Sequence, residues 1–112
     1  MSNYQSIVGN QLAEAALTTS VVTLYTVPIN TRTYIKDIHV NNTTAGALTF
    51  TLYLVPSAGS PSTSNALFYT FSVPASSIYH WTGTQIIPAS STIRATASAA
   101  GLTMFISGGE AT

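Results

Sequence analysis

From Leu48 to Val55 the chain alternates without a break: Leu48, Phe50, Leu52 and Leu54 fall on one side, Thr49, Thr51, Tyr53 and Val55 on the other. A two-residue period of this kind is the mark of a strand with one buried face, and similar runs fill the chain after Thr19. Residues 21–27 are β-branched and aromatic and stop at Pro28. Residues 33–41 set Tyr34, Lys36, Ile38 and Val40 against Ile35, Asp37, His39 and Asn41. Ala66–Val73 groups Leu67, Tyr69, Phe71 and Val73, and residues 77–82 place Tyr79 and Trp81 together. Thr92–Ala97 and residues 102–107 follow, the latter with Leu102, Met104 and Ile106 on one face.

Turn formers separate these runs at short, regular distances: Asn41 to Gly46, Pro56 to Ser64, and Ala99-Ala100-Gly101. A short punctuation recurs at Val27-Pro28-Ile29-Asn30, Val73-Pro74-Ala75-Ser76 and Ile87-Pro88-Ala89-Ser90. Proline has no N–H for a ladder and ends a strand, and Asn or Ser then closes the turn. Seven or eight such strands predict an all-β fold, a single antiparallel β-sandwich of jelly-roll type over residues 20–112. An immunoglobulin-like sandwich is the second choice, and it lacks its Cys…Trp…Cys pattern here. Residues 1–19 read as a short N-terminal arm outside the core. Its stretch 11–17 is rich in good helix formers but too short for a stable isolated helix. Such an arm is ordered only when tied to something else. Tyr4, Ile7, Val8 and Leu12 are therefore the candidate attachment residues, and a chain without residues 1–16 is expected to keep its β fold and lose attachment.

Charge narrows the function. Only 5% of residues are charged, where about 25% is usual, and Arg32, Lys36, Arg94, Glu14, Asp37 and Glu110 sum to zero. A neutral chain lacks the basic footprint of a nucleic-acid binder and the polybasic patch of a membrane-surface protein. No apolar run approaches a membrane span, and the N-terminus lacks the basic start and apolar stretch of a secretory signal. With no cysteine, disulfides, thiol catalysis and Cys-based zinc sites are excluded. Hydroxyls replace the charges: 14 Ser and 18 Thr make up 32 of 112 residues, which gives a surface polar without long-range repulsion. Near-neutral proteins tend to associate, so a closed homo-oligomer, a trimer, is expected, held by contacts that salt does not screen.

Few residues can do chemistry. Asp37 and His39, two apart, share a strand face and with a nearby Ser would imitate a hydrolase triad, but there is no Gly-x-Ser-x-Gly elbow and a surface pair is the expected reading. His39, His80 and Asp37 are a conceivable ligand set, yet they lie on distant strands with no spacing motif. No catalytic residue, cofactor or metal site is expected, and the chain is read as a non-enzyme. Tyr79 and Trp81 are expected to fill the core while His80 faces water or a neighbouring subunit. The sequons at Asn41 and Asn42 read as turn residues.

Four stretches, Thr23-Leu24-Tyr25-Thr26-Val27-Pro28, Thr33-Tyr34-Ile35-Lys36-Asp37-Ile38, Phe50-Thr51-Leu52-Tyr53-Leu54-Val55-Pro56 and Leu102-Thr103-Met104-Phe105-Ile106-Ser107-Gly108, resemble small all-β virion proteins of tailed bacteriophages. The likeness runs from Ala16 to Glu110, about five sixths of the chain, and is carried by strand and turn patterns. It implies a structural part of a particle, assembled in the bacterial host cytoplasm. The first reading is a capsid decoration (cement) protein whose partners are its own copies and the major capsid protein or another virion protein, with no nucleic acid and no membrane. The alternative is a tail-fibre or baseplate adhesin module that binds host glycan.

Overall fold

A computed structural model describes residues 7–112. Eight strands follow one another: β1 (Ile7–Ala16), β2 (Val22–Thr26), β3 (Arg32–Asn42), β4 (Leu48–Val55), β5 (Ala66–Val73), β6 (Ile78–Ile87), β7 (Thr92–Ala97) and β8 (Leu102–Ala111). One 3-10 turn, Thr63–Asn65, precedes β5. The strands form two four-stranded sheets with orders β1-β8-β3-β6 and β2-β7-β4-β5, and every neighbouring pair is antiparallel. Successive strands alternate between the sheets at the start of the chain, and the last strand returns beside the first. This is the eight-stranded jelly roll.

The inner faces meet in one core. Ile35, Ile38 and Val40 of β3 and Leu102, Met104 and Ile106 of β8 face Phe50 and Leu52 of β4 and Ile93 and Ala95 of β7. One open side of the sandwich is closed by rings from both sheets. Phe71 lies 4.5 Å from Tyr79 and Phe68 lies 6.3 Å from Trp81, centroid to centroid. Aromatic area at this seam, in tilted and edge-on pairs, excludes water where the two edge strands β5 and β6 face each other.

Strict alternation does not survive along every strand. In β3 the register shifts between Ile35 and Asp37 against both neighbours: Lys36 is an extra residue relative to β8, while β6 sets two residues opposite it, and Ile35 and Ile38 both turn inward. The expected grouping of Ile35 with Asp37 and His39 is corrected by this bulge, which inserts one residue and reverses the faces beyond it. Opposite it, a Cβ on Gly108 would sit 1.8 Å from the Tyr34 carbonyl oxygen; only a residue with no side chain permits that approach. Bulges in β1 between Gln11 and Ala13 and in β6 at Gly83 and Thr84 lie at the same level of the sheet. In β5, Thr70 takes a left-handed φ of 51°, and Phe68 rather than Tyr69 packs on the core. Leu54 is half-buried, less enclosed than Phe50 and Leu52.

Proline turns close the sandwich ends. The recurring apolar-Pro punctuation has a fourth member, Val55-Pro56-Ser57-Ala58. In all four the residue before proline, Val27, Val55, Val73 or Ile87, is buried. The residue two after proline, Asn30, Ala58, Ser76 or Ser90, has a positive φ. The first and last of these turns are joined by backbone bonds between Val27 and Ser90 and Ser91. Asn42, fully buried, donates through Nδ2 to Gly46 O at 2.9 Å and Val73 O at 3.1 Å. Its Oδ1 accepts from Thr44 N at 2.9 Å and Thr44 Oγ1 at 2.7 Å. The residue expected to be a turn former is thus a saturated buried amide joining the β3–β4 loop to the end of β5.

The arm over 1–19 is the main correction to the expected architecture. Within it, Ile7–Ala16 is β1, an edge strand paired with β8 along its length. Leu12 and Ala13 are buried in the core, as is Leu17 just beyond the strand. The helix considered for 11–17 does not form. Helix propensity over seven residues is a weak bias, and pairing with β8 together with burial of these apolar side chains outweighs it. Removal of residues 1–16 is therefore expected to destabilise the fold by at least about 2–5 kcal/mol, the cost of deleting one buried leucine. Urea unfolding followed by circular dichroism measures this, and an unchanged midpoint would put β1 outside the cooperative unit.

Candidate functional site

The bulge at Lys36 turns Asp37 and His39 to the outer face of the first sheet. There β6 supplies the third member, because His39 and His80 are directly opposed cross-strand partners. His39 Nδ1 lies 3.0 Å from Asp37 Oδ1, and His80 Nε2 lies 2.8 Å from Asp37 Oδ2. The two imidazoles stack with centroids 4.0 Å apart and planes 7° from parallel. Their side chains are 43% and 46% exposed and that of Asp37 34%, so water reaches the cluster. Beside it Lys36 Nζ donates to Thr84 Oγ1 at 2.7 Å. A shallow groove of about 340 Å³ adjoins, lined by Gly9, Tyr34, Lys36, Gly108 and Gly109; it owes its floor to glycines on β1 and β8.

Reading the sequence alone separates His39 and His80 onto distant strands, whereas the fold makes them neighbours. The signal lies in topology: a jelly roll sets its third and sixth strands side by side. Among the described residues, no hydrogen bond joins a Ser or Thr hydroxyl to either imidazole. His80 faces solvent and Tyr79 and Trp81 pack on the core.

The candidate attachment residues are dispersed. Tyr4 lies outside the described residues. Ile7 opens β1 opposite Ala111. Val8 is 56% exposed, but Leu12 is a core residue and has no surface to offer a partner. Large apolar side chains stand exposed elsewhere, Ile29 at the tip of the first proline turn, Tyr69 on β5, and Ile78 and Ile86 on β6.

A second polar group sits between the sheets. Tyr25 of β2 donates its hydroxyl hydrogen to Glu110 Oε2 of β8. It also lies 2.8 Å from Thr33 Oγ1 of β3, which is fully buried. Since the tyrosine proton goes to the carboxylate, Thr33 donates to Tyr25. Burial, then the bond to Glu110 and its negative charge, pushes the Tyr25 phenol up to about 12 from an ordinary 10.0, while the Thr33 bond acts in the opposite direction. Sequence reading did not single out this trio, because its members are far apart in the chain and meet only across the two sheets.

No protein-family model and no curated protein sequence matches the chain. Several solved structures are similar in fold, among them these two. One belongs to Bacillus endospore appendages, described as a novel family of disulfide-linked pili, with a TM-score of 0.60 and 14% identity over 99% of this chain and 91% of that one. The other is a chain of infectious bursal disease virus, Gx strain, with a TM-score of 0.57 and 14% identity, covering 95% of this chain and 32% of that one. These likenesses show a shared β-sandwich fold. This chain spans about a third of the viral chain it matches. No helix among the described residues is long and apolar enough to cross a membrane.

The Tyr25 trio has a pH consequence. The folded state holds the phenolic proton to about pH 12 and the unfolded chain releases it near 10. The trio's contribution is therefore complete below pH 10 and is lost as pH rises from 10 through 12. Urea midpoints across that window should fall less steeply for Tyr25→Phe than for the parent chain. At neutral pH the variant should lose about 1 kcal/mol, the worth of a partly exposed hydrogen bond. Parallel curves would show that the phenol titrates as in the unfolded chain.

Proposed function

We propose that this chain is a non-enzymatic structural subunit of a tailed-bacteriophage virion, a capsid decoration protein that self-associates as a trimer and seats on the particle through the major capsid protein or another virion protein. The observation that carries this reading is the jelly roll spanning almost the whole chain, shared with a pilus subunit and a chain of a virus. A pilus and a virus are both built by repeating a chain, and the resemblance to small phage virion proteins points the same way.

The surface supports repetition. With six charges in the whole chain, copies meet without the like-charge repulsion that keeps most proteins apart. Ile29, Tyr69, Ile78 and Ile86 offer apolar contact on solvent-facing positions, the kind of residue that interface cores use. The pili are described as disulfide-linked, but this chain has no cysteine, so its copies must associate by packing and hydrogen bonds. Leu12 is buried in the core, whereas Val8 and the loop from Pro56 to Ser64 are exposed, which favours the latter as attachment surfaces.

Two measurements test the reading. Ultracentrifugation at micromolar protein should give a trimer in both low and molar salt, since few ion pairs exist to screen; a monomer in both contradicts self-association. Full-length protein mixed with undecorated capsids should be found on their surface by electron microscopy. Binding to tails or host cells in place of capsids would replace decoration with the adhesin reading.

A further inference from the structure

We propose that Asp37, His39 and His80 form a binding site for a divalent transition-metal cation of the zinc class on the outer face of the first sheet. The sequence, with its histidines on separate strands, leads to the expectation of no metal site. The fold supplies what sequence spacing does not. β3 and β6 pair so that His39 faces His80, and the bulge at Lys36 keeps Asp37 on the same face. One donor atom from each residue lies within 4.8 Å of the other two.

The donor chemistry selects the ion. Two imidazole nitrogens and one carboxylate oxygen suit zinc, copper or nickel; calcium and magnesium take oxygen ligands in greater number. A tetrahedral ion with ligands at about 2.0–2.1 Å spaces its ligand atoms about 3.4 Å apart. His39 Nδ1 lies 3.0 Å from one carboxylate oxygen and His80 Nε2 lies 2.8 Å from the other, and one ligand atom from each of the three residues lies within 4.8 Å of the other two, so a small rotation of the carboxylate brings one oxygen to an ion shared with both rings. Both ring nitrogens already point at the same carboxylate. The rings must tilt out of their parallel stack to direct their lone pairs at one ion, and with both side chains near half-exposed little packing resists that tilt. Lys36, next in sequence to Asp37, directs its ammonium to Thr84. Three protein ligands leave the fourth position to water. The cluster lies on an open sheet face, so the geometry points to ion binding that ties β3 to β6. The site is independent of whether the chain decorates a capsid.

The test uses the full chain without a polyhistidine tag. Calorimetric titration with Zn²⁺ should show saturable binding of one ion per chain. Co²⁺ should give visible absorption bands of a low-coordinate site. His80→Ala, His39→Ala and Asp37→Asn should each weaken binding by at least about tenfold, since even the loss of an outer hydrogen-bond partner to a ligand costs about that. Each variant is checked by circular dichroism and urea midpoint in the absence of metal; His80→Gln replaces His80→Ala if the latter fails to fold. Saturable binding lost in the variants supports the site. Absence of saturable Zn²⁺ binding, or binding unchanged in all three variants, overturns it.

Discussion

The approach of β3 to β8 at Gly108 organises the molecule. There the Tyr34 carbonyl oxygen occupies the place a side chain would need, and Lys36 is squeezed out as an extra residue. Two consequences follow from that one bulge. Ile35 and Ile38 both enter the core although they stand three positions apart, and Asp37 and His39 emerge on the outer face opposite His80. Core and surface cluster are therefore set by the same backbone event. A one-residue slip in a strand moves its whole set of side chains to the other face, so loss of the bulge would bury a carboxylate or expose an isoleucine.

Around that sheet the fold is assembled from neutral parts. There is no disulfide and few ion pairs, and the ends of the sandwich are held by backbone turns and the buried Asn42 amide instead. Four of the five prolines, Pro28, Pro56, Pro74 and Pro88, stop a strand where the N–H would be missed, the preceding apolar side chain is buried, and a left-handed residue turns the chain back. Asn42 satisfies its amide with four bonds to a loop and a strand end, which makes a buried polar group compatible with the core. A structure held this way offers a surface of hydroxyls and isolated apolar side chains, on which the proposed packing against copies of itself relies.

Much of this was legible in the chain. Period-2 runs place β4, β5 and β7 at their observed bounds and give the all-β sandwich. The Pro punctuation locates strand ends, and Phe50 and Leu52 are core residues as their alternation predicts. Other features were not legible, for physical reasons. β1 has the composition of a helix, and only pairing with β8, which comes last in the chain, makes it a strand. The strand read over residues 102–107 stops short, and pairing on both sides extends β8 through Gly108 and Gly109 to Ala111. Bulges at Lys36 and Thr70 depend on backbone contacts across the sheet, so alternation assigns Ile35 and Tyr69 to the wrong faces. The His39–His80 pair needs the strand order, which local pattern does not contain.

The most direct measurement is the unfolding free energy of Gly108→Ala. A methyl group here meets a backbone carbonyl rather than a flexible side chain, so the strands must separate to admit it. A loss of at least about 1–3 kcal/mol is expected, the range for overpacking a close contact, read as a lowered urea midpoint. An unchanged midpoint would contradict it, because β3 and β8 would then pair without the approach that sets the bulge and everything arranged around it.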